Sequence, residues 1–145
     1  MTDWTYEQVP NSRGPRREFK ITVGLREGFD PDGRVYDLSE ATKTALNWMT
    51  ARAGADKAFL SGMFTRGEVA YAWRREDGTV GKDREPVAIF TGEVIPLYAG
   101  GLADEEVESM LNELAELLGQ ALRQERLYIA FRDRTWIIKR AGSPE

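Results

Sequence analysis

Between Phe59 and Thr91 the chain reads FLSGMFTRGEVAYAWRREDGTVGKDREPVAIFT, and this stretch most constrains the fold. Val69, Tyr71 and Trp73 alternate with Ala70 and Ala72, the period-two pattern of a strand with two unlike faces. The spacing predicts adjacent strands over 58–65 and 68–74 around Arg66–Gly67, then a charged connection over 74–84 turning at Asp77–Gly78. A return strand over 86–94 carries Val87, Ile89 and Phe90. A face bearing Tyr71 and Trp73 is ordinarily core or subunit interface.

The flanking segments supply the rest of a sheet and its cover. Phe19, Ile21, Val23 and Leu25 alternate along a first strand, and REGFDPDGR is a turn. Asp37 and Glu40 stand in capping-box spacing before a helix over 38–52, with Leu38, Ala41, Ala45, Leu46, Trp48 and Met49 as its apolar positions. After a loop over 95–102, Asp104 is the expected cap of a second helix. Val107, Met110, Leu111, Leu114, Leu117, Leu118, Ala121 and Leu122 recur on it three and four apart. Two short strands, 127–131 and 135–138, close the chain. The order predicts an α+β fold: a ferredoxin-like sandwich in which an antiparallel sheet carries two helices on one face. The expected organisation is an irregular N-terminal arm over 1–18, one domain over 19–140 and a tail over 141–145. Trp4 and Tyr6 could pin the arm to the domain or to a neighbouring subunit, or the arm is a solvated tail.

Chemistry is narrowed by what is missing. The 145 residues contain no Cys and no His, which removes thiolate nucleophiles, Ser-His-Asp catalysis and His- or Cys-built metal sites. Carboxylates, Lys and Tyr remain. A net charge of −4 argues against a phosphate-coating nucleic-acid binder. No segment approaches the roughly 18 apolar residues of a membrane span, and MTDWTYEQVP lacks the charge and apolar run of a signal peptide. The expectation is a cytoplasmic protein that needs no membrane, nucleic acid, metal or cofactor.

Two sets of side chains could touch a ligand. Asp77, Asp83, Glu85 and Glu93 surround the central hairpin, although most carboxylates in a chain this charged are solvated. Arg26, Arg66, Arg74, Arg75, Arg84, Arg123 and Arg126 fall at element ends beside Phe64, Tyr71 and Trp73. Guanidinium groups clamp phosphate and aromatic rings stack on bases, so this set could hold a nucleotide. The bland alternative is that these Arg pair with the 24 acidic residues on a solvated surface. GLREG (24–28) and GMFTRG (62–67) do not match a phosphate loop or a dinucleotide fingerprint.

Several short phrases carry a resemblance: Val23–Gly24–Leu25, Thr65–Arg66–Gly67 leading to Trp73–Arg74, Asp77–Gly78–Thr79–Val80, Glu85, and Leu122–Arg123–Gln124–Glu125. Over about residues 19–131 the chain resembles the Thoeris anti-defence sponge proteins of phages; the arm and the closing hairpin extend beyond it. The resemblance implies a homo-oligomeric, non-enzymatic protein that sequesters a cyclic ADP-ribose-type signal, with Trp73 stacking and Arg74, Arg123 and Arg126 clamping. The candidate ligand-binding set is Arg26, Trp73, Arg74, Glu85, Arg123 and Arg126. The alternatives are a protein-interaction module or inhibitor using an exposed sheet face, and a hydrolase built on carboxylates around a metal.

Overall fold

The structure is a computed structural model that describes residues 3–28 and 30–143. The outermost parts of the expected arm and tail, residues 1–2 and 144–145, and Phe29 in the first turn lie outside the described residues.

β1 (Glu18–Gly24) places Phe19, Ile21 and Val23 on one side, and Leu25 continues the same face; all four are buried. β1 pairs antiparallel with β3 (Val80–Glu93) on one edge and β4 (Arg126–Phe131) on the other. β2 (Met63–Arg74) extends the sheet beyond β3, and β5 (Arg134–Lys139) extends it beyond β4. The five strands run β2-β3-β1-β4-β5, all antiparallel. α1 (Leu38–Gly54) and α3 (Asp104–Ala121) pack side by side on one face, with a single short turn of helix, α2 (Pro96–Ala99), between β3 and α3. This is the expected ferredoxin-like α+β sandwich with one extra edge strand.

The core lies between the helices and that face. Val107, Leu111, Leu114 and Leu118 of α3 meet Ile21, Val23, Phe90, Ile129 and Phe131. Phe90 sits at its centre, with ring centroids 5.6 Å from Phe19 and 4.8 Å from Phe64. The helix stripe is narrower than the spacing suggests, because Leu46 and Leu117 are exposed. Trp48 is buried, and its indole N–H donates to Glu113 Oε1 at 2.8 Å, tying α1 to α3.

The structure corrects four local expectations. β2 is a single strand through Arg66–Gly67, which is not a turn. The charged connection is mostly strand: only Arg75–Thr79 turns, closed by Arg75 N–H to Thr79 O at 2.8 Å and by Asp77 Oδ1 accepting from Thr79 N–H at 2.9 Å and Oγ1–H at 2.6 Å. Pro86 is tolerated inside β3 because it lies just past the end of β1: its carbonyl accepts from Leu25 N–H at 2.9 Å, while Leu25 O accepts instead from Tyr36 N–H at 2.7 Å, so the missing N–H leaves no strand acceptor unpaired. Asp104 is the first residue of α3 and not its cap, which is Ala103. The Asp104 carboxylate accepts instead from Arg17 at 2.7 Å and Arg132 at 2.9 Å, and these bonds hold its pKa below the usual range.

The same pairing anchors the arm. Arg17 also donates to Leu102 O at 2.9 Å and lies over the Phe131 ring, while Arg17 O accepts from Val94 N–H at 2.9 Å. Trp4 and Tyr6 stand more than four-fifths exposed, so neither pins the arm to its own domain.

Truncating Phe90 removes the ring at the centre of the core. Phe90→Ala is expected to cost about 3–5 kcal/mol, read as a lowered midpoint in chemical denaturation with an unchanged slope.

Candidate functional site

The helices cover one sheet face and leave the other open. By strand alternation the open face carries Met63, Val69, Tyr71 and Trp73 from β2, and Asp83, Glu85, Val87 and Ile89 from β3. Thr22 and Gly24 come from β1, Arg126 and Tyr128 from β4, and Ile137 from β5. Met63, Tyr128 and Ile137 are each more than half exposed. Beyond Gly24 the β2–β3 hairpin runs on without a third strand, since β1 ends opposite Val87 while β2 and β3 stay paired to Arg74–Val80.

Polar groups gather where that hairpin leaves the sheet. Val69 pairs with Glu85 and Tyr71 with Asp83, so Tyr71, Asp83 and Glu85 share one patch of the open face. Tyr71 and Trp73 stack with ring centroids 5.6 Å apart, and Arg75 lies over the Trp73 ring at 5.6 Å. Gly81 lies opposite Trp73 because a Cβ there would collide with the indole.

Glu85 is the half-buried carboxylate of the group. Desolvation pushes its pKa up, the nearby Arg26 guanidinium pulls it back, and Asp83 raises it again. The Tyr71 hydroxyl is likewise raised, first by desolvation and then by the charges of Glu85 and Asp83. Arg26 follows β1 and is bridged to Val35 across the first turn. Its carbonyl accepts from Gln124 Nε2 at 2.6 Å. A Cβ at position 24 would collide with Gln124 Oε1 and stand 2.9 Å from Glu85 Oε1, so only glycine leaves room for both side chains.

The structure sorts the sequence candidates. The Arg26 charge acts on Glu85, Trp73 reaches the patch through Tyr71, and Arg126 lies on the same open face at the start of β4. Arg74 points to the reverse face of the hairpin, lining a shallow hollow of about 560 Å³ with Ala72, Trp73 and Val80. Arg123 lies at the end of α3, with φ of 54°, and lines a different hollow of about 650 Å³ that includes Gln124, Lys139 and Arg140. Arg74 and Arg123 therefore do not clamp one ligand with Trp73 inside a single chain. A second hollow of about 650 Å³ lies between the helices, beside Trp48 and Glu113. Neither larger hollow contains the desolvated carboxyl, so the candidate site is the Glu85 patch. Among the described residues no three acidic side chains gather as a metal site.

Gly24 and Gln124 carry no signal of a ligand site in the sequence, and Tyr71 and Asp83 stand there only among the wider sets of rings and carboxylates around the hairpin. Tyr71 and Asp83 were visible as strand neighbours, but their pairing depends on the exact hairpin register. The approach of Gln124 to Gly24 joins positions 100 residues apart and leaves no local signal.

No protein-family profile matches the chain, and neither does any curated protein. Two solved structures share its fold. A phage SAM lyase in complex with S-methyl-5′-thioadenosine is 15% identical with a TM-score of 0.61, over 95% of this chain and all of the other. A phage SAM lyase in the apo state is 16% identical with a TM-score of 0.62, over 97% of this chain and all of the other. At this identity the likeness establishes the fold. It agrees with the sequence resemblance only coarsely: the neighbours are phage proteins and one holds a small nucleoside, but neither is a signal sponge.

The expectation of a non-catalytic protein is corrected by this comparison, because the structures that share the fold are lyases. The physical reason is that the missing Cys and His bear only on reactions that need a thiolate or an imidazole.

The raised Glu85 pKa has a stability consequence. The folded state binds this proton more tightly than the unfolded state, so the group's contribution falls as pH rises from the ordinary carboxylate range through the elevated folded value. Glu85→Gln is expected to raise the melting temperature at pH 7 and to narrow the gap between scans at pH 5 and pH 8. A lowered melting temperature would contradict this burial.

Proposed function

We propose that the chain binds S-adenosylmethionine on the open sheet face and cleaves it to S-methyl-5′-thioadenosine. The observation that carries the reading is the desolvated Glu85 carboxyl set beside the Tyr71–Trp73 stack, in the fold of the SAM lyases. The aromatic pair offers a surface on which an adenine base stacks. Glu85 and Asp83 place negative potential where the sulfonium and the amino group of the substrate would lie. Arg26 suits the substrate carboxylate.

S-methyl-5′-thioadenosine keeps the methyl and adenosyl groups, so the bond that breaks joins sulfur to the Cγ of the four-carbon chain. Its electron pair stays on sulfur, which becomes a neutral thioether. The carbon is satisfied within the substrate, either by its own carboxylate closing a lactone or by loss of a Cβ proton to form an alkene. Glu85 accepts that proton in the second case and stabilises the cation in the first. No water is consumed in either.

The same reading gives the counter-defence role its form. A protein that destroys SAM withholds the methyl donor from host enzymes that depend on it. The open face also exposes Met63, Tyr128 and Ile137, and a second copy of the chain is the occupant we assign to it. Such a homo-oligomer would bring side chains of a neighbour's open face toward the patch.

Incubation of the purified protein with SAM should release S-methyl-5′-thioadenosine, with the four-carbon product identified by mass spectrometry. Glu85→Gln should lower the rate by about 10²-fold or more while keeping the fold. Intact SAM recovered after binding, or no binding to SAM beside a cyclic ADP-ribose control, would reject the reading. Sedimentation should show more than one copy, and Ile137→Glu should shift it toward the monomer.

A further inference from the structure

α3 ends in a left-handed turn that sends one side chain back across the sheet. Leu122 N–H donates to Leu118 O at 2.9 Å, Arg123 takes the left-handed conformation, and Gln124 N–H donates to Gly119 O at 2.9 Å. This is the Schellman arrangement, here with arginine where glycine is the usual residue. Arg123 O in turn accepts from Gly28 N–H at 3.0 Å, tying the turn to the loop after β1. Gln124 is thereby fixed at its backbone before its side chain is considered.

The carboxamide is fixed as well. Gln124 Nε2 donates to Arg26 O at 2.6 Å and to Leu122 O at 2.9 Å, which uses both of its N–H groups. Rotation of the amide is blocked, because a flipped group would set an oxygen against two carbonyls. The remaining atom, Oε1, is a pure acceptor, and it lies over Gly24 together with Glu85 Oε1. Both oxygens stand within 3 Å of the one point where a Cβ of residue 24 would lie, and a carbonyl oxygen beside a carboxyl favours the protonated form, which can donate to it, over the carboxylate, which cannot.

We infer that Gln124 is a positioning residue for this site: its fixed carbonyl oxygen over Gly24 orients the Glu85 carboxyl and holds its proton. The charges that act on Glu85 are Arg26 after β1 and Asp83 on β3; Tyr71 on β2 and Arg126 at the start of β4 share its sheet face, and Gln124 adds the amide. Arg26 and Gln124 oppose each other, the first favouring the carboxylate and the second the acid. This leaves Glu85 fixed in neither form, so it can both give up and take up a proton. The catalytic meaning of the inference rests on the SAM-cleavage reading, whereas the coupling between Gln124 and Glu85 does not.

The test is a pH titration of the full chain labelled with ¹³C at the glutamate side-chain carboxyls, with the Glu85 signal assigned by its loss in Glu85→Gln. Gln124→Met, close in volume and without an acceptor oxygen, should lower the Glu85 midpoint by roughly half to one pH unit. Gln124→Glu, which adds a like charge, should raise it. Opposite shifts cannot come from a general loosening of the site. An unchanged midpoint in both variants, or the same direction in both, overturns the inference. In the SAM assay the Glu85 limb of the pH–rate profile should move with the NMR midpoint. If SAM is not a substrate, the titration still decides the coupling.

Discussion

β1 is the strand on which the architecture depends, because it is hydrogen-bonded on both edges and buried on its helix-facing side. Its ladder with β3 sets which residues of the long hairpin face the helices, and its ladder with β4 does the same for the closing strands. A slip of one residue would turn Phe90 and Ile129 to solvent and bring Ile89 and Tyr128 inward. The fully buried Ile21 and Leu25 make such a slip costly. The position of Glu85 follows from the same register: it lies two residues beyond Val87, where β1 has ended and water reaches only part of the carboxyl.

Much of this architecture was legible in the residues. The alternation in FKITVGL and the three-four spacing after Asp104 are local signals of strong elements, and the structure contains both. The hairpin departs from its local signals where local chemistry and pairing disagree. Arg66–Gly67 looks like a turn, yet Gly67 lies beside Ile89 and Val87, whose side chains reach across the space a Cβ would occupy. Pro86 looks like a strand boundary, but its one lost donor falls where no partner strand stands. Cross-strand demands of this kind do not appear in a single segment.

The candidate site was less legible, for a related reason. Residue types suggested arginine clamps, and the fold scatters them: Arg26 reaches the patch, Arg74 faces away, and Arg123 serves the turn after α3. What the structure gathers instead is a carboxyl and a tyrosine from the two strands of one hairpin and an amide from the turn after α3. None is unusual by itself. Their chemistry comes from partial desolvation, and desolvation is a property of the folded surface rather than of any stretch of sequence.

The hairpin beyond Gly24 makes the patch mechanically unequal. Its root shares the core through Phe90 and Ala88, whereas its outer half has solvent on both sides and is held by one ladder and a tight turn. Amide exchange should therefore grade along β2 and β3, with the outer rungs opening far more readily than the global unfolding event. Tyr71 and Trp73 belong to the soft part, while Glu85 sits near its hinge. A molecule seated against both would be gripped by a jaw of which one side is rigid and the other compliant, and closing on it would draw on the order of the hairpin rather than on the core.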